Sequence, residues 1–178
     1  MKTIQVKDKK FGLSISHKKI EKAVSQIASQ INKDMVGKVP LFLVVLNGAF
    51  IFASDLLKKM KIDNEISFVK LSSYAGTQTT SVVRELIGLD EVVKDRTVIV
   101  VEDIIDTGIT MDHIVNTLLK LEAAEVKVAS LLFKPDAFEK DFKIDYIGIE
   151  IPNDFIVGFG LDYDGFGRNY PDIYKVID

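Results

Sequence analysis

The chain has 178 residues, 47% of them hydrophobic, which is enough for one well-buried core and short for two independent domains, so residues 1–178 read as a single domain. Its 23 Lys and Arg against 26 Asp and Glu leave a formal charge of -3, so no global positive field is available for a polyanion, which argues against nucleic acid as a main partner. The absence of cysteine excludes disulfides and thiolate metal sites, and two distant histidines, His17 and His113, make a poor zinc centre, so any metal should be a hard, oxygen-liganded ion.

At the N-terminus there is no apolar secretory core, and no later apolar run approaches the roughly 20 residues of a membrane span, so the expectation is a soluble, cytoplasmic protein with no membrane partner. Residues 17–33 carry Ile20, Val24, Ile27 and Ile31 at spacings of a helix with one buried face. Apolar runs at 41–46, 66–71, 97–101 and 126–133 are too uniformly apolar for strands with a wet face and predict strands covered on both sides. Helical patterns at 49–60 and 111–122 alternate with them. The alternation predicts an α/β fold with a mainly parallel sheet and crossover helices. After Lys134, prolines and glycines punctuate short runs at 146–150 and 155–159, which predict strands and turns appended to the sheet. In such a sheet a ligand belongs at the carboxyl ends of the strands.

There the most informative stretch is Val98-Ile99-Val100-Val101-Glu102-Asp103-Ile104-Ile105-Asp106-Thr107-Gly108-Ile109-Thr110. An apolar strand runs into three carboxylates and then a small-residue turn opening a helix. The turn offers backbone N–H groups and two hydroxyls at a helix N-terminus, where orphan donors and the dipole favour a phosphate, and Gly108 lets the backbone come close. Glu102 and Asp103 beside an apolar strand need a compensating partner, such as a sugar diol or a magnesium ion. Taken alone, Asp-Thr-Gly often only caps a helix, with neighbouring acids in solvent. No Walker-type or Gly-x-Gly-x-x-Gly motif competes with it, which disfavours a kinase or a dinucleotide dehydrogenase.

The whole run resembles the phosphoribosyl pyrophosphate (PRPP) signature of the type I phosphoribosyltransferases, and its wording is especially similar to the hypoxanthine-guanine branch. The resemblance covers residues 40–175 and implies that family's fold: a twisted parallel sheet flanked by helices, core about 36–135, with a small base-binding hood from 136–178 and the N-terminal segment. It implies that Asp106, Thr107, Gly108, Ile109 and Thr110 hold the 5′-phosphate, that Glu102 and Asp103 meet ribose and Mg2+, and that Asp106 acts on the N7 proton of the base. Leu46-Asn47-Gly48 looks like the family's pyrophosphate loop, in which a non-proline cis peptide aims backbone N–H groups at the leaving group. Read without the family, Asn-Gly is simply a turn. Ser73 and Tyr74 resemble the start of the family's mobile lid. Lys134 matches the lysine that binds the purine O6; an ammonium donates but cannot accept, which favours a 6-oxo over a 6-amino base. Phe155 matches the aromatic that stacks on the purine, with Ile156 adding backbone contacts; Asp162 corresponds to a magnesium-associated carboxylate beside the base, and Arg168 to a pyrophosphate-binding arginine. The departures are Asn47 and Ile109, where relatives carry a basic residue; neither removes a backbone donor.

The implied activity is purine salvage: transfer of phosphoribosyl from PRPP to N9 of hypoxanthine, and of guanine, by a homodimer or homotetramer. Two alternatives stay open at this point: a xanthine- or guanine-preferring transferase, and a PRPP-sensing regulator of the same fold that binds nucleic acid, which the acidic balance and the retained Lys134, Phe155 and Arg168 oppose.

Overall fold

The computed structural model describes residues 2–74, 82–87 and 92–177. In chain order the elements are β1 (Thr3–Val6), β2 (Lys9–Ile15), α1 (His17–Asp34), β3 (Leu41–Leu46), α2 (Phe50–Leu57), β4 (Glu65–Tyr74), β5 (Val82–Ile87), β6 (Thr97–Ile105), α3 (Ile109–Lys120), β7 (Glu125–Phe133), β8 (Tyr146–Glu150), β9 (Ile156–Val157) and β10 (Ile173–Val176).

The larger sheet has the order β5-β4-β3-β6-β7-β8. Every pairing is parallel except that of β5 with β4. Alternation explains why its central strands read as unbroken apolar runs. In β3, Phe42 and Val44 face one core with α1 and α2, while Leu41, Leu43 and Val45 face the other with Met111, Ile114 and Leu118 of α3. In β6, Ile99 and Val101 serve the first core, Val98 and Val100 the second. Period-2 geometry sends successive side chains to opposite faces, so two covered faces demand apolar residues throughout. On α1 the residues spaced for one face, Ile20, Val24, Ile27 and Ile31, are all buried. Truncating a core side chain such as Phe42 would cost about 3 to 5 kcal/mol.

A second, antiparallel sheet has the order β1-β2-β10-β9. The expectation that the C-terminal strands extend the large sheet therefore holds for β8 alone. The chain turns away after Pro152, a residue that cannot donate to a ladder; β10 pairs with β2 near the chain's start, and β9 pairs with the other edge of β10. Ile15, Ile156 and Ile173 reach from this small sheet into the core beneath α1, and Asp172 ties its last strand to the helix by accepting the His17 backbone N–H at 2.8 Å. The small sheet is thus fixed to α1 and the core beneath it. Among the described residues no helix is long and apolar enough to cross a membrane.

Candidate active site

The acidic pair does not end its strand. β6 runs through Glu102 and Asp103 to Ile105, because their backbone stays in the ladder: Glu102 pairs with Ser130 and Ile104 with Leu132. The chain then bends at 106–108, and Gly108, at φ 83°, is the left-handed residue from which α3 starts. Gly108 has no side chain with which to cap that helix; the Thr107 hydroxyl accepts the Ile109 N–H at a long 3.5 Å, and the turn and first helical residues border a cavity of about 280 Å³. Leu46, Gly48, Glu102, Asp103 and residues 106–111 line it.

Both acids are buried, so neither sits in a solvated loop. Loss of hydration pushes the Glu102 carboxyl well above the usual carboxylate range, and the neighbouring Asp103 charge pushes it further. Asp103 is raised too, first by burial, although the Arg168 charge works the other way. Among the described residues neither acid forms an ion pair. Two adjacent buried carboxylates with no ion-pair contact among the described residues are oxygen donors that a hard cation or a sugar diol would stabilise.

Asp162 does not join them. Its Oδ1 pairs with Arg168 at 2.7 Å and its Oδ2 accepts the Gly165 N–H at 2.6 Å. Among the described residues no three acidic or histidine side chains gather closely enough to hold a metal, so the expected set of Glu102, Asp103 and Asp162 is not assembled as one cage. A pair of carboxylates still fits magnesium, which keeps water ligands and takes substrate oxygens for the rest.

The Leu46–Asn47 peptide is cis, as the resemblance implied. Gly48 then passes so close to β6 that a Cβ there would fall on the Asp103 carboxylate, 2.5 Å from its Cγ. On its other side the loop meets Gly160, at φ 99°, whose own Cβ would overlap the Gly48 carbonyl. Arg168 closes this contact by donating to the Gly160 carbonyl at 2.6 Å. Two glycines thus let strand, loop and hood stack. Gly160 was not singled out from sequence; the glycine-rich run 158–167 marked turns without saying what they approach.

Lys134, at the carboxyl end of β7, pairs with Asp106 at 2.8 Å, its side chain 12% exposed against 51% for the acid. Phe155 is half-exposed rather than a core residue; its ring meets Tyr163 edge-on at 5.6 Å and Phe11 at 6.1 Å. Ile156 is buried, which leaves only its backbone for a ligand. Lys134, Phe155, Ile156, Asp162 and Arg168 do not line the cavity itself. Lys134 is tied to it through Asp106, and Arg168 through Gly160, which packs on Gly48. Ser73 and Tyr74 close β4, where their backbones pair with Val83 and Val82; the rest of the expected lid, 75–81, lies outside the described residues. Sequence reasoning also missed residues 138–140, which fold back on the turn: the Glu139 N–H reaches the Thr107 carbonyl at 3.2 Å, and Phe138 packs against Gly108.

A mainly parallel sheet whose central strand carries a buried acid pair near its carboxyl end and then turns into a helix N-terminus defines an α/β protein with its ligand cavity at the carboxyl ends of the strands. Residues 14–164 match the model of the phosphoribosyl transferase domain. The chain is 38% identical over 158 residues to a hypoxanthine-guanine phosphoribosyltransferase of Streptococcus pneumoniae, covering 88% of each. A hypoxanthine-guanine phosphoribosyltransferase structure from Bacillus anthracis superposes with a TM-score of 0.87 at 35% identity, over 94% of this chain and 97% of that one. A hypoxanthine phosphoribosyltransferase structure from Trypanosoma cruzi, concerned with the role of the C-terminal region in oligomeric state and activity, gives 0.89 at 27% identity, over 98% and 95%. The chain belongs to the phosphoribosyl transferase family.

Proposed function

We propose that this protein is a purine-salvage enzyme that transfers the 5-phosphoribosyl group of PRPP to N9 of hypoxanthine, and of guanine, releasing pyrophosphate. The observation that carries this reading is the 2.8 Å pairing of Lys134 Nζ with Asp106 Oδ2 beside an N-terminal phosphate turn. A 6-oxopurine in its N7–H form carries an acceptor, O6, next to a donor, N7–H. A lysine ammonium next to a carboxylate is the complementary pair. Adenine offers two donors to that ammonium and is disfavoured. The relatives named above point the same way.

In this reading the N–H groups and hydroxyls of 107–110 hold the 5′-phosphate, Glu102 and Asp103 meet the ribose hydroxyls, and Phe155 stacks on the ring. Leu46, Asn47 and Gly48 present backbone to the pyrophosphate, and Arg168 turns from Asp162 toward its charge. N9 donates its lone pair to C1, the bond from C1 to the pyrophosphate oxygen breaks with its electrons on that oxygen, and the N7 proton passes to Asp106. Mg2+ fits Glu102 and Asp103 as its protein oxygens, and when bound it would neutralise charge on the pyrophosphate. Asp162 then acts in the hood, positioning Arg168 and the turn beside the base. Ser73 and Tyr74 belong to a lid that excludes water during transfer. We place the enzyme in the cytoplasm as a homodimer or homotetramer, with one domain comprising core and hood; the link between C-terminal region and oligomeric state in the Trypanosoma cruzi relative is in keeping with an oligomer.

The test is to incubate purified protein with PRPP, Mg2+ and each of hypoxanthine, guanine, xanthine and adenine, and to quantify the nucleotide. Hypoxanthine should react and adenine should not. A xanthine-only or adenine-preferring enzyme, or no turnover at all, would refute the assignment.

A further inference from the structure

The turn assigned above to the 5′-phosphate has a charge problem. A phosphate monoester brings about -1.5 to -2 at neutral pH, yet residues 106–110 contain a carboxylate and no cation. Lys134, the cation nearest to that carboxylate, is committed to it at 2.8 Å. Helix N–H groups supply only about half a positive charge.

The structure brings in a second lysine from outside the turn. After β7 the chain folds back along 106–108: the Lys134 N–H donates to the Ile105 carbonyl at 3.0 Å and the Glu139 N–H to the Thr107 carbonyl at 3.2 Å. Phe138 locks this strap. It stands edge-on to Phe133 at 5.3 Å and to Phe142 at 5.2 Å, and its ring lies where a Gly108 side chain would be, with Cε2 2.6 Å from that Cβ position. The next lysine then lays its stem over the same glycine, Lys140 Cγ lying 3.1 Å from the Gly108 Cβ position. Its ammonium is only loosely held, 4.0 Å from Asp112 Oδ2, and a third exposed. Asp112 itself sits in the first turn of α3, its N–H bonded to the Gly108 carbonyl at 2.8 Å, and its other oxygen accepts from Asn116 at 3.1 Å. The three bonds beyond Cγ carry the ammonium from Gly108 either toward Asp112 or toward the helix N-terminus.

We propose that Lys140 is a substrate-binding residue that swings from Asp112 to the 5′-phosphate and supplies the cation the turn lacks. This rests on the phosphoribosyltransferase reading above. Phe138 acts as a positioning residue, since it holds the strap that delivers Lys140.

The experiment measures binding of inosine 5′-monophosphate and of inosine by calorimetry to wild type, Lys140→Ala, Lys140→Arg and Lys143→Ala, with thermal midpoints to verify folding. Lys143 is a charge-matched control on the same segment, 80% exposed and paired with Asp145 at 3.1 Å. Lys140→Ala should weaken the monophosphate about tenfold, the order a partly exposed charge-assisted hydrogen bond supplies, and leave inosine unchanged. Lys140→Arg should restore most of the loss, and Lys143→Ala should show none. The proposal is overturned if Lys140→Ala binds the monophosphate like wild type, if it loses both ligands equally, or if Lys143→Ala loses as much. Wild type that binds neither ligand and turns over no PRPP overturns the underlying reading, whereas wild-type binding with an indifferent Lys140→Ala overturns this inference alone.

Discussion

Adding one methyl group at Gly48 should disable the site from a position that carries no functional side chain. The Cβ would stand 2.5 Å from Asp103 Cγ and 2.9 Å from its Oδ1, distances that real Cβ atoms do not show, so something must move. The loop cannot retreat, because its far side is pressed on Gly160, itself admitted only for want of a Cβ. Asp103 cannot move as backbone either, since Glu102 and Ile104 on either side are held in the β6–β7 ladder. Relief is left to rotation of a buried carboxylate into the cavity. Overpacking of this kind costs about 1 to 3 kcal/mol. At roughly 2 to 4 °C per kcal/mol for a domain of this size, the midpoint of Gly48→Ala should fall by about 5 °C. Turnover should suffer more, because a reacting group misplaced by about 1 Å can lose around a hundredfold in rate. Thermal denaturation and steady-state kinetics with PRPP and hypoxanthine measure the two effects. A Gly48→Ala protein with wild-type stability and turnover would refute the stacking of strand, loop and hood on which the site depends.

Lys134→Met removes a charged hydrogen bond to O6, worth about 1.5 to 3 kcal/mol, so kcat/KM for hypoxanthine should fall roughly 10- to 100-fold. Adenine turnover should barely change, and stability little, because the partner Asp106 is half exposed and such pairs are screened; retained selectivity would contradict the contact. Asp106→Asn should lower turnover by about two to four orders of magnitude while PRPP affinity, measured by calorimetry, stays near wild type. The acid pair predicts a pH dependence. Burial, then the Asp103 charge, raises Glu102 in the folded chain, so between its unfolded value of about 4.3 and its folded value the native state binds more protons than the unfolded one. Its contribution is therefore fully present at low pH and is lost as pH rises through the folded value. In chelator, the stability difference between wild type and Glu102→Gln should shift against wild type from mildly acid to mildly alkaline pH; a difference independent of pH would show that Glu102 does not titrate on folding.

Local pattern carried most of the large sheet. The run 41–46 and the short run 146–150 became β3 and β8 residue for residue, and α1 ended one residue beyond its predicted span. These elements bury whole faces, so their periodicity is written in their own residues. β6 outran its prediction by four residues to Ile105: hydropathy stops at Val101, but backbone pairing with β7 does not depend on side-chain polarity. β1 and β2 escaped notice because the alternation of Phe11, Leu13 and Ile15 is short and starts from Lys9, and because the second partner of β2, β10, comes from the other end of the chain. The same limit governed the site. The acidic turn and its helix are contiguous and were legible as a strand, a turn and a helix N-terminus, whereas the diversion of Asp162 to Arg168, the seat of Gly160 on Gly48 and the return of Phe138 to Gly108 join residues distant in sequence and were not.

The most direct test of the account is a crystal structure with inosine 5′-monophosphate. The phosphate should lie on the N–H groups and hydroxyls of Thr107–Thr110, with O6 toward Lys134 and the purine against Phe155. A nucleotide bound with its phosphate elsewhere, leaving those donors to solvent, would contradict it.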